Sequence, residues 1–161
     1  MTYVTGASGD KTSDCVFCDA AVQARDGLVL ARGAHTFVIL NLYPYNNGHL
    51  MVVPNRHIAS LAALAADEAL ELLRFVQDAE RALVEAYRPD GINVGVNLGR
   101  AAGAGIVHHV HVHLVPRWNG DTNFISVVGD TRVLPEDLPS TATRLRPIFE
   151  RLRTEWPCAS S

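Results

Sequence analysis

The feature that decides the fold is the stretch His109-Val110-His111-Val112-His113-Leu114-Val115. It alternates imidazole and apolar side chains, and a β-strand points successive side chains to opposite faces of its sheet. The three histidines therefore share one face of a predicted strand Val107–Pro116, and the apolar residues share the other. Three imidazoles are costly to bury without partners, because each ring carries a donor and an acceptor. The pattern predicts a ligand, a metal or a reaction at the histidine face.

Two other interpretations of this stretch stay open from the residues alone. One is a polar strand face with incidental histidines, although four of the seven histidines in the chain lie between positions 108 and 113. The other is a pure metal site, as in a cupin or a carbonic-anhydrase-like protein. That site needs further histidine or carboxylate ligands converging on the same face.

The apolar periodicity on both sides of this stretch predicts an α+β fold with a mainly antiparallel sheet. The alternation of Ile92–Leu98 predicts a half-buried strand, and residues 99–105 a Gly/Ala loop. The predicted strands are Leu28–Ala31 and Phe37–Leu40, which form a hairpin, then Leu50–Pro54, Ile92–Leu98, Val107–Pro116 and Phe124–Val128.

Two helices complete the predicted fold. Ser60 is expected to N-cap a long helix over Leu61–Tyr87, which Pro89-Asp90-Gly91 terminates. Apolar residues from Leu145 to Leu152 predict a C-terminal helix that Pro157 breaks. Residues 1–13 are interpreted as a loose arm, and residues 1–161 as a single domain, since no linker separates two units.

Composition narrows the classes of function. The chain has 161 residues, of which 48% are hydrophobic and 19% charged, as in a folded globular protein. A formal net charge of −3 gives no electrostatic footprint for long nucleic acid. No apolar run reaches membrane-spanning length, and Met1–Gly6 lacks the basic and apolar blocks of a secretory leader. A cytoplasmic protein with no membrane partner is therefore expected.

The pair Cys15-Val16-Phe17-Cys18 has the spacing of a metal knuckle. A metal site needs two further ligands. A redox pair or two buried thiols are the alternatives. Cys158 has no obvious partner and is predicted to be a free thiol.

Together these motifs resemble the histidine triad superfamily. His109–Val115 matches its alternating histidine pattern, and Leu40–Pro54 is similar to its first conserved block. The resemblance runs from about Cys15 to Phe124. The tail Pro116–Phe124 resembles the branch of bacterial diadenosine tetraphosphate phosphorylases and hydrolases. The actinobacterial phosphorylases are also similar through Leu40–Pro54 and Asn93–Leu98.

The resemblance implies a role for each matching residue. His111 matches a nucleophile that takes a nucleotidyl group through Nε2, and His113 and His49 match residues that contact the phosphates. Asn41 falls near the ribose and Asn97 near a phosphate. A neutral imidazole attacks phosphorus when its other nitrogen donates to a fixed acceptor, which in the family is a backbone carbonyl. Gly103 and Gly105 either let the backbone approach the phosphates or form an ordinary tight turn.

The resemblance also closes the cysteine site. Several triad proteins add the histidine after the Val-Val-Pro strand and the first histidine of the triad, which are His57 and His109 here. Cys15, Cys18, His57 and His109 are therefore predicted to bind a structural Zn²⁺ with no open coordination position. No organic cofactor is expected.

The substrate is expected to be a nucleotide, with an adenine nucleotide favoured. Relatives often carry a polar residue where this chain has Gly105 and Ile106, so a group that protonates a leaving amine is missing. This favours phosphoanhydride cleavage of a dinucleoside polyphosphate, with phosphate or water as the acceptor. The alternatives are a specialised nucleotidyl transferase or hydrolase of a biosynthetic pathway, and a noncatalytic nucleotide-binding protein. The superfamily also implies a homodimer.

Several aromatic and basic residues keep two interpretations. Phe37, Tyr43 and Tyr45 are interpreted as core residues, with an adenine pocket as the alternative. Trp118 is interpreted in the same way, with a substrate or dimer contact as its alternative. Arg117 either meets polyphosphate or lies in solvent.

Overall fold

The structure, a computed structural model, describes residues 15–22, 27–121 and 136–156. Its elements are α1 Val16–Val22, β1 Val29–Arg32, β2 Thr36–Leu40, β3 Leu50–Pro54, a 3₁₀ turn Leu61–Ala63, α2 Ala66–Tyr87, β4 Gly91–Val96, a 3₁₀ turn Arg100–Ala102, β5 Val112–Arg117 and α3 Leu138–Thr154. Within these residues, five antiparallel strands form one sheet in the order β1-β2-β3-β5-β4.

Each face of the sheet packs against different helices. Leu50 and Val52 of β3 join the main core with α2 and α3. Met51 and Val53, which alternate with them, pack instead with Phe17 of α1. The alternation of strand side chains thus divides one apolar run between two layers. The predicted α+β fold with an antiparallel sheet is confirmed.

The register between β3 and β5 places the histidine face on the α1 side. Met51 pairs with His113, and Val52 pairs with Val112. Val112 and Leu114 lie in the main core beside α2 and α3. His113 therefore points to the opposite side, as the alternating pattern predicts.

The triad strand is shorter than predicted. β5 begins at Val112 rather than Val107, so His109 and His111 precede the strand. The backbone before it is held differently, because the N–H of Val110 donates to the carbonyl of Ile58 at 2.7 Å. The prediction of a strand from Val107 was wrong, and the reason is a loop contact that no periodicity reveals.

The long helix also begins later than predicted. Ser60 caps only the 3₁₀ turn, where its hydroxyl accepts from the N–H of Ala62. Leu64 is extended, and α2 starts at Ala66 with Ala65 as its N-cap. The carboxylate of Glu68 accepts from the N–H of Ala65 at 2.7 Å, which fixes the true start.

Strand β4 is more exposed than a half-buried strand. It is shorter than predicted and lies at the edge of the sheet, bonded only to β5 within the described residues. Ile92 and Val96 touch the main core, whereas Val94 is 50% exposed. Alternation correctly placed Ile92 and Val96 on the inner face but was wrong for Val94 and Leu98, which are 50% and 47% exposed, because an edge strand is covered less than an interior one.

The remaining expectations have mixed outcomes. The hairpin of β1 and β2 is confirmed, with a register shift between Val29 and Ala31. The C-terminal helix exists but starts at Leu138. The predicted arm 1–13, the strand Phe124–Val128, the break at Pro157 and the thiol of Cys158 lie outside the described residues. No helix in the described part of the chain is both long and apolar enough to cross a membrane.

Candidate active site and adjoining metal-binding cluster

His111 lies just before β5 with its imidazole held in one tautomer. Its Nδ1 lies 2.9 Å from the carbonyl oxygen of His109. A carbonyl only accepts, so Nδ1 carries the proton and Nε2 carries the lone pair. The residue is 5% exposed, and burial lowers its pKa. The side chain is therefore a neutral imidazole whose Nε2 is available to attack an electrophile.

A second pair of histidines forms a directional chain of hydrogen bonds. The backbone N–H of Tyr45 donates to Nδ1 of His49 at 3.0 Å. Nε2 of His49 must then carry the proton, which it donates to Nδ1 of His113 at 3.0 Å. This leaves the Nε2–H of His113 as a donor. Burial is the main cause that lowers the pKa of His49 to about 3 and that of His113 to about 4.

The rings of His111 and His113 lie next to each other. Their centroids are 4.7 Å apart with nearly perpendicular planes. Phe17 of α1 packs on His111 at 4.9 Å and on His109 at 5.4 Å. The arrangement offers a nucleophilic nitrogen on one ring and an N–H donor on its neighbour, which is what an attack on a phosphoryl group needs.

Two asparagines that were predicted to bind substrate follow different strands, Asn41 after β2 and Asn97 after β4. Asn41 lies beside the His49 ring, with Nδ2 3.3 Å from Nδ1, and its Oδ1 accepts from the N–H of Tyr43. Asn97 follows β4 directly after Val96, which pairs with Val112. The β4–β5 register thus brings Asn97 to the end of the sheet where His111 precedes β5.

The two predicted loop glycines differ in conformation. Gly103 has a φ of +87°, which favours glycine, and its carbonyl accepts from the Asn97 amide at 3.4 Å. Gly105 is exposed, and its φ is not positive. Only Gly103 therefore needs the freedom of glycine for the turn itself.

The cysteine pair meets two histidines behind the active site. The four ligand atoms of Cys15, Cys18, His57 and His109 all lie within 4.8 Å of one another. Nδ1 of His109 is 3.4 Å from Sγ of Cys15 and 3.7 Å from Sγ of Cys18, and Nδ1 of His57 is 3.2 Å from Sγ of Cys18. Ordinary Zn–S and Zn–N bonds in a tetrahedron require S···N separations of about 3.5 Å.

The protonation of these groups suits a cation. Nε2 of His109 donates to the carbonyl of Pro54 at 2.8 Å, so Nδ1 is left with its lone pair toward the thiols. Burial, followed by the neighbouring Cys15, raises the pKa of Cys18 to about 11. Two adjacent thiols resist becoming thiolates together unless a cation lies between them. The donor set fits a closed four-ligand metal site.

The sequence interpretation missed or misplaced several contacts. Phe17 was passed over, although its place between the two cysteines puts it near any metal that they bind. Phe37 is fully buried as predicted, but Tyr43 and Tyr45 are 67% and 53% exposed, so the core interpretation was wrong for both. Arg117 is engaged by Asp121 through two hydrogen bonds of 2.6 and 2.7 Å. Arg117 ends a strand, so the helical rule for charges four residues apart does not predict this pair.

Comparison with known proteins identifies the family. The HIT domain family model matches residues 23–120, which is more than half of the chain. The chain therefore belongs to the HIT family.

A curated relative indicates which member of the HIT family this chain resembles. The chain is 50% identical over 131 residues to the AP-4-A phosphorylase of Mycobacterium tuberculosis. The match covers 81% of this chain and 64% of that protein. The chain thus spans less than two thirds of the length of the relative.

Solved structures agree on the fold. A Zn-bound histidine triad family protein from Mycobacterium smegmatis superimposes with a TM-score of 0.71 at 29% identity, covering 88% of this chain and 96% of that one. A hypothetical histidine triad nucleotide-binding protein from Sulfolobus tokodaii gives a TM-score of 0.71 at 28% identity, with 86% and 94% covered.

Proposed function

We propose that the chain cleaves dinucleoside polyphosphates, with diadenosine tetraphosphate as the representative substrate, through a covalent nucleotidyl intermediate on His111. The observation that carries this proposal is the 2.9 Å hydrogen bond from Nδ1 of His111 to the carbonyl of His109. That bond leaves Nε2 with a lone pair in a buried ring whose pKa is lowered. The AP-4-A phosphorylase relative at 50% identity supports the choice of substrate.

The proposed reaction has two displacement steps. Nε2 of His111 attacks the α-phosphorus, the bond from that phosphorus to the bridging oxygen breaks, and ATP leaves with the bonding electrons. An oxygen of inorganic phosphate then attacks the same phosphorus, the N–P bond breaks, and its electron pair returns to Nε2. The products are ADP and ATP, and His111 is regenerated.

His113 and His49 are proposed to stabilise the charge that develops on the phosphoryl oxygens. The Nε2–H of His113 is the donor, and His49 keeps it there by donating to Nδ1 of His113 at 3.0 Å. Asn41, Asn97, Gly103 and Gly105 are proposed to surround the nucleotide. A donor fixed before the substrate arrives costs no reorganisation during the reaction.

The leaving group supports phosphoanhydride cleavage. Gly105 and Ile106 offer no side chain that could protonate a departing amine. A nucleoside polyphosphate leaves readily without such help, whereas an amine does not. Phosphate is the proposed acceptor, because the relative is named as a phosphorylase.

The cluster of Cys15, Cys18, His57 and His109 is proposed to hold a structural Zn²⁺. Its support is the spacing of the four ligand atoms, together with a Zn-bound family member from Mycobacterium smegmatis. When bound, the ion cross-links α1, the segment after β3 and the segment before β5. With four protein ligands it has no open position for substrate.

Residues 1–161 are proposed to form a single HIT domain, and the protein is proposed to be a cytoplasmic homodimer. Strand β4 supports the dimer, because its outer edge has no strand partner among the described residues and Val94 is half exposed. Two cysteines that bind a metal as thiolates need a reducing compartment, which supports the location. Sedimentation velocity tests the dimer directly.

Product analysis tests the proposed reaction. Diadenosine tetraphosphate is incubated with the protein and excess phosphate, and the nucleotides are separated by chromatography. ADP plus ATP is the expected result, whereas AMP plus ATP identifies water as the acceptor. Absence of cleavage for every dinucleotide tested contradicts the proposed substrate class.

A further inference from the structure

A hydrogen-bonded cluster joins the end of β5 to the loop that precedes β3. Its centre is Asn46, whose amide donates to Oδ2 of Asp121 and to the carbonyl of Pro116, both at 2.9 Å. Asp121 follows β5 by four residues and also accepts from the N–H of Trp118 at 3.2 Å. A single amide thus connects two segments 75 residues apart in the chain.

Asn46 also belongs to the turn that carries His49. Its carbonyl accepts from the N–H of His49 at 3.1 Å, and Gly48 has a φ of +75°. The preceding residue, Tyr45, supplies the N–H that donates to Nδ1 of His49 at 3.0 Å. Asn46 is therefore bonded to the backbone of His49 and directly follows the residue whose N–H donates to the His49 ring.

The aspartate is itself rigidly held. Arg117 donates to both carboxylate oxygens of Asp121, and its Nη1 donates to Asn93 of β4 at 2.8 Å. The guanidinium is the main cause that keeps the pKa of Asp121 well below its ordinary value. The carboxylate side chain is 13% exposed. It stays an ionised acceptor, anchored to the sheet, throughout the neutral pH range.

We propose that Asp121 is a positioning residue that acts through Asn46 to keep His49 in the tautomer that donates to His113. The two neutral tautomers of an imidazole differ little in intrinsic energy, so the donors at Nδ1 decide between them, and the N–H of Tyr45 at 3.0 Å is closer than Nδ2 of Asn41 at 3.3 Å. Without Asp121, Asn46 keeps only its bond to the carbonyl of Pro116, so Tyr45 is held less firmly and His49 populates its other tautomer more often. His113 then loses the bond that keeps its own proton on Nε2. The consequence for turnover rests on the proposed function, whereas the consequence for the imidazole rings does not.

Imidazole ¹⁵N NMR of the nucleotide-free protein tests this proposal. In the wild type, His49 shows one protonated and one unprotonated nitrogen with well-separated resonances. In Asp121→Ala, and independently in Asn46→Ala, these two resonances move toward a common average. Asn46→Ala leaves the pair of Arg117 and Asp121 intact, so it serves where removal of the carboxylate prevents folding.

Asp90→Ala is the matched control. The carboxylate of Asp90 accepts from the N–H of Asn119 at 2.8 Å, so it anchors the same turn after β5 without touching Asn46. It should leave the His49 resonances in place. Unchanged His49 resonances in folded Asp121→Ala would overturn the proposal, and so would an equal change in Asp90→Ala, because that change would report general loosening.

Steady-state kinetics of Asp121→Ala then test whether the tautomer of His49 affects turnover. Asp121→Ala should lower kcat about tenfold while KM changes less than about threefold, because the donor is lost mainly where charge develops. A large rise in KM with unchanged kcat would contradict a role through His113. Failure of the wild type to turn over dinucleotides would refute the proposed function alone, since the NMR result stands without substrate.

Discussion

His109 and His111 are two residues apart, both buried, and held in opposite tautomers. The Nε2–H of His109 donates a hydrogen bond to the carbonyl of Pro54, whereas the Nδ1–H of His111 donates to the carbonyl of His109. The first therefore turns an Nδ1 lone pair toward two thiols, and the second keeps an Nε2 lone pair for a substrate. The difference shows that a backbone carbonyl, and not the residue type, decides what a buried histidine can do.

The surroundings of the two rings sharpen the contrast. His109 is fully buried between sulfur ligands, in a cluster whose four ligand atoms are mutually close. The ring of His111 contacts the ring of His113, and no group in the described part of the chain donates a hydrogen bond to Nε2 of His111. Both ring nitrogens of His109 have protein partners, whereas only Nδ1 of His111 has a hydrogen-bond partner among the described residues. The comparison predicts a structural role for the first and a chemical role for the second.

The largest expected effect is on turnover in His111→Asn. The variant should fold and bind nucleotide but lose kcat by about three orders of magnitude or more, because no other described group replaces the nucleophile. Single-turnover kinetics measure the loss. His108→Asn is the control, since His108 is exposed and lies three residues before His111 in the sequence. Turnover of His111→Asn within about tenfold of the wild type would remove covalent catalysis at this residue.

Loss of the cysteine ligands should lower the stability of the protein more than its rate of turnover. The double variant Cys15→Ser with Cys18→Ser should fall from about one Zn²⁺ per chain to none, and its unfolding temperature should drop markedly, because a structural zinc contributes directly to folding. Its chemical step should change less than the unfolding temperature suggests. Metal analysis and thermal denaturation measure both. Full metal occupancy in the double variant would contradict the ligand assignment.

The sequence predicted more of the site than of its surroundings. Alternation of histidines and apolar residues placed His113 on the correct face, and this prediction succeeds because it depends on local geometry. The grouping of Cys15, Cys18, His57 and His109 was predicted from the family resemblance, since the spacing of the two cysteines alone left other interpretations open. The tautomer of His109 could not be predicted, since the carbonyl of Pro54 lies 55 residues from it. Asn46 was missed for the same reason, because its partner Asp121 is distant in sequence.

Element boundaries failed where long-range contacts override periodicity. The start of α2 depends on the carboxylate of Glu68, which also bonds Arg56 at 2.7 and 2.9 Å. The apolar residues before it continue the helical spacing, so the pattern alone extends the helix to Leu61. The prediction that Tyr43 and Tyr45 are buried was wrong in the same way, because composition does not reveal which loop projects from the sheet into solvent.

Acid should destabilise the fold through His49 and His113. Both have folded pKa values below the unfolded value of 6.5, at about 3 and about 4. The unfolded state therefore binds more protons below pH 6.5, so the stability that they contribute is complete above that pH and falls as the pH drops. Between pH 6.5 and 5 each costs at most about 1.4 kcal/mol per pH unit.

Denaturant unfolding at pH 7, 6 and 5 measures this loss. The window lies above the ordinary pKa of carboxyl groups, so Glu68 and Asp121 do not contribute to it. His49→Asn with His113→Asn should reduce the dependence without abolishing it, because burial also lowers the pKa of His111. An equally steep fall in that double variant would show that other groups are responsible.

The smallest expected effect is on the turn that carries His49. In Gly48→Ala, a new Cβ would meet Cε2 of Tyr87 at 2.8 Å, and the φ of +75° disfavours any side chain. The substitution should destabilise the protein by about 1–2 kcal/mol. Gly91→Ala is the control, because nothing lies within 4 Å of its Cβ position. Equal stability of the two variants in denaturant would show that the turn tolerates the strain.

The nitrogen that receives the nucleotidyl group tests the central contrast most directly. A wild-type reaction with diadenosine tetraphosphate is quenched within one turnover under alkaline conditions, and the adenylylated peptide is mapped by mass spectrometry. The linkage is assigned to one ring nitrogen by ³¹P–¹⁵N coupling. The account predicts a single adduct on Nε2 of His111. An adduct on His113, or turnover with no histidine adduct, would contradict it.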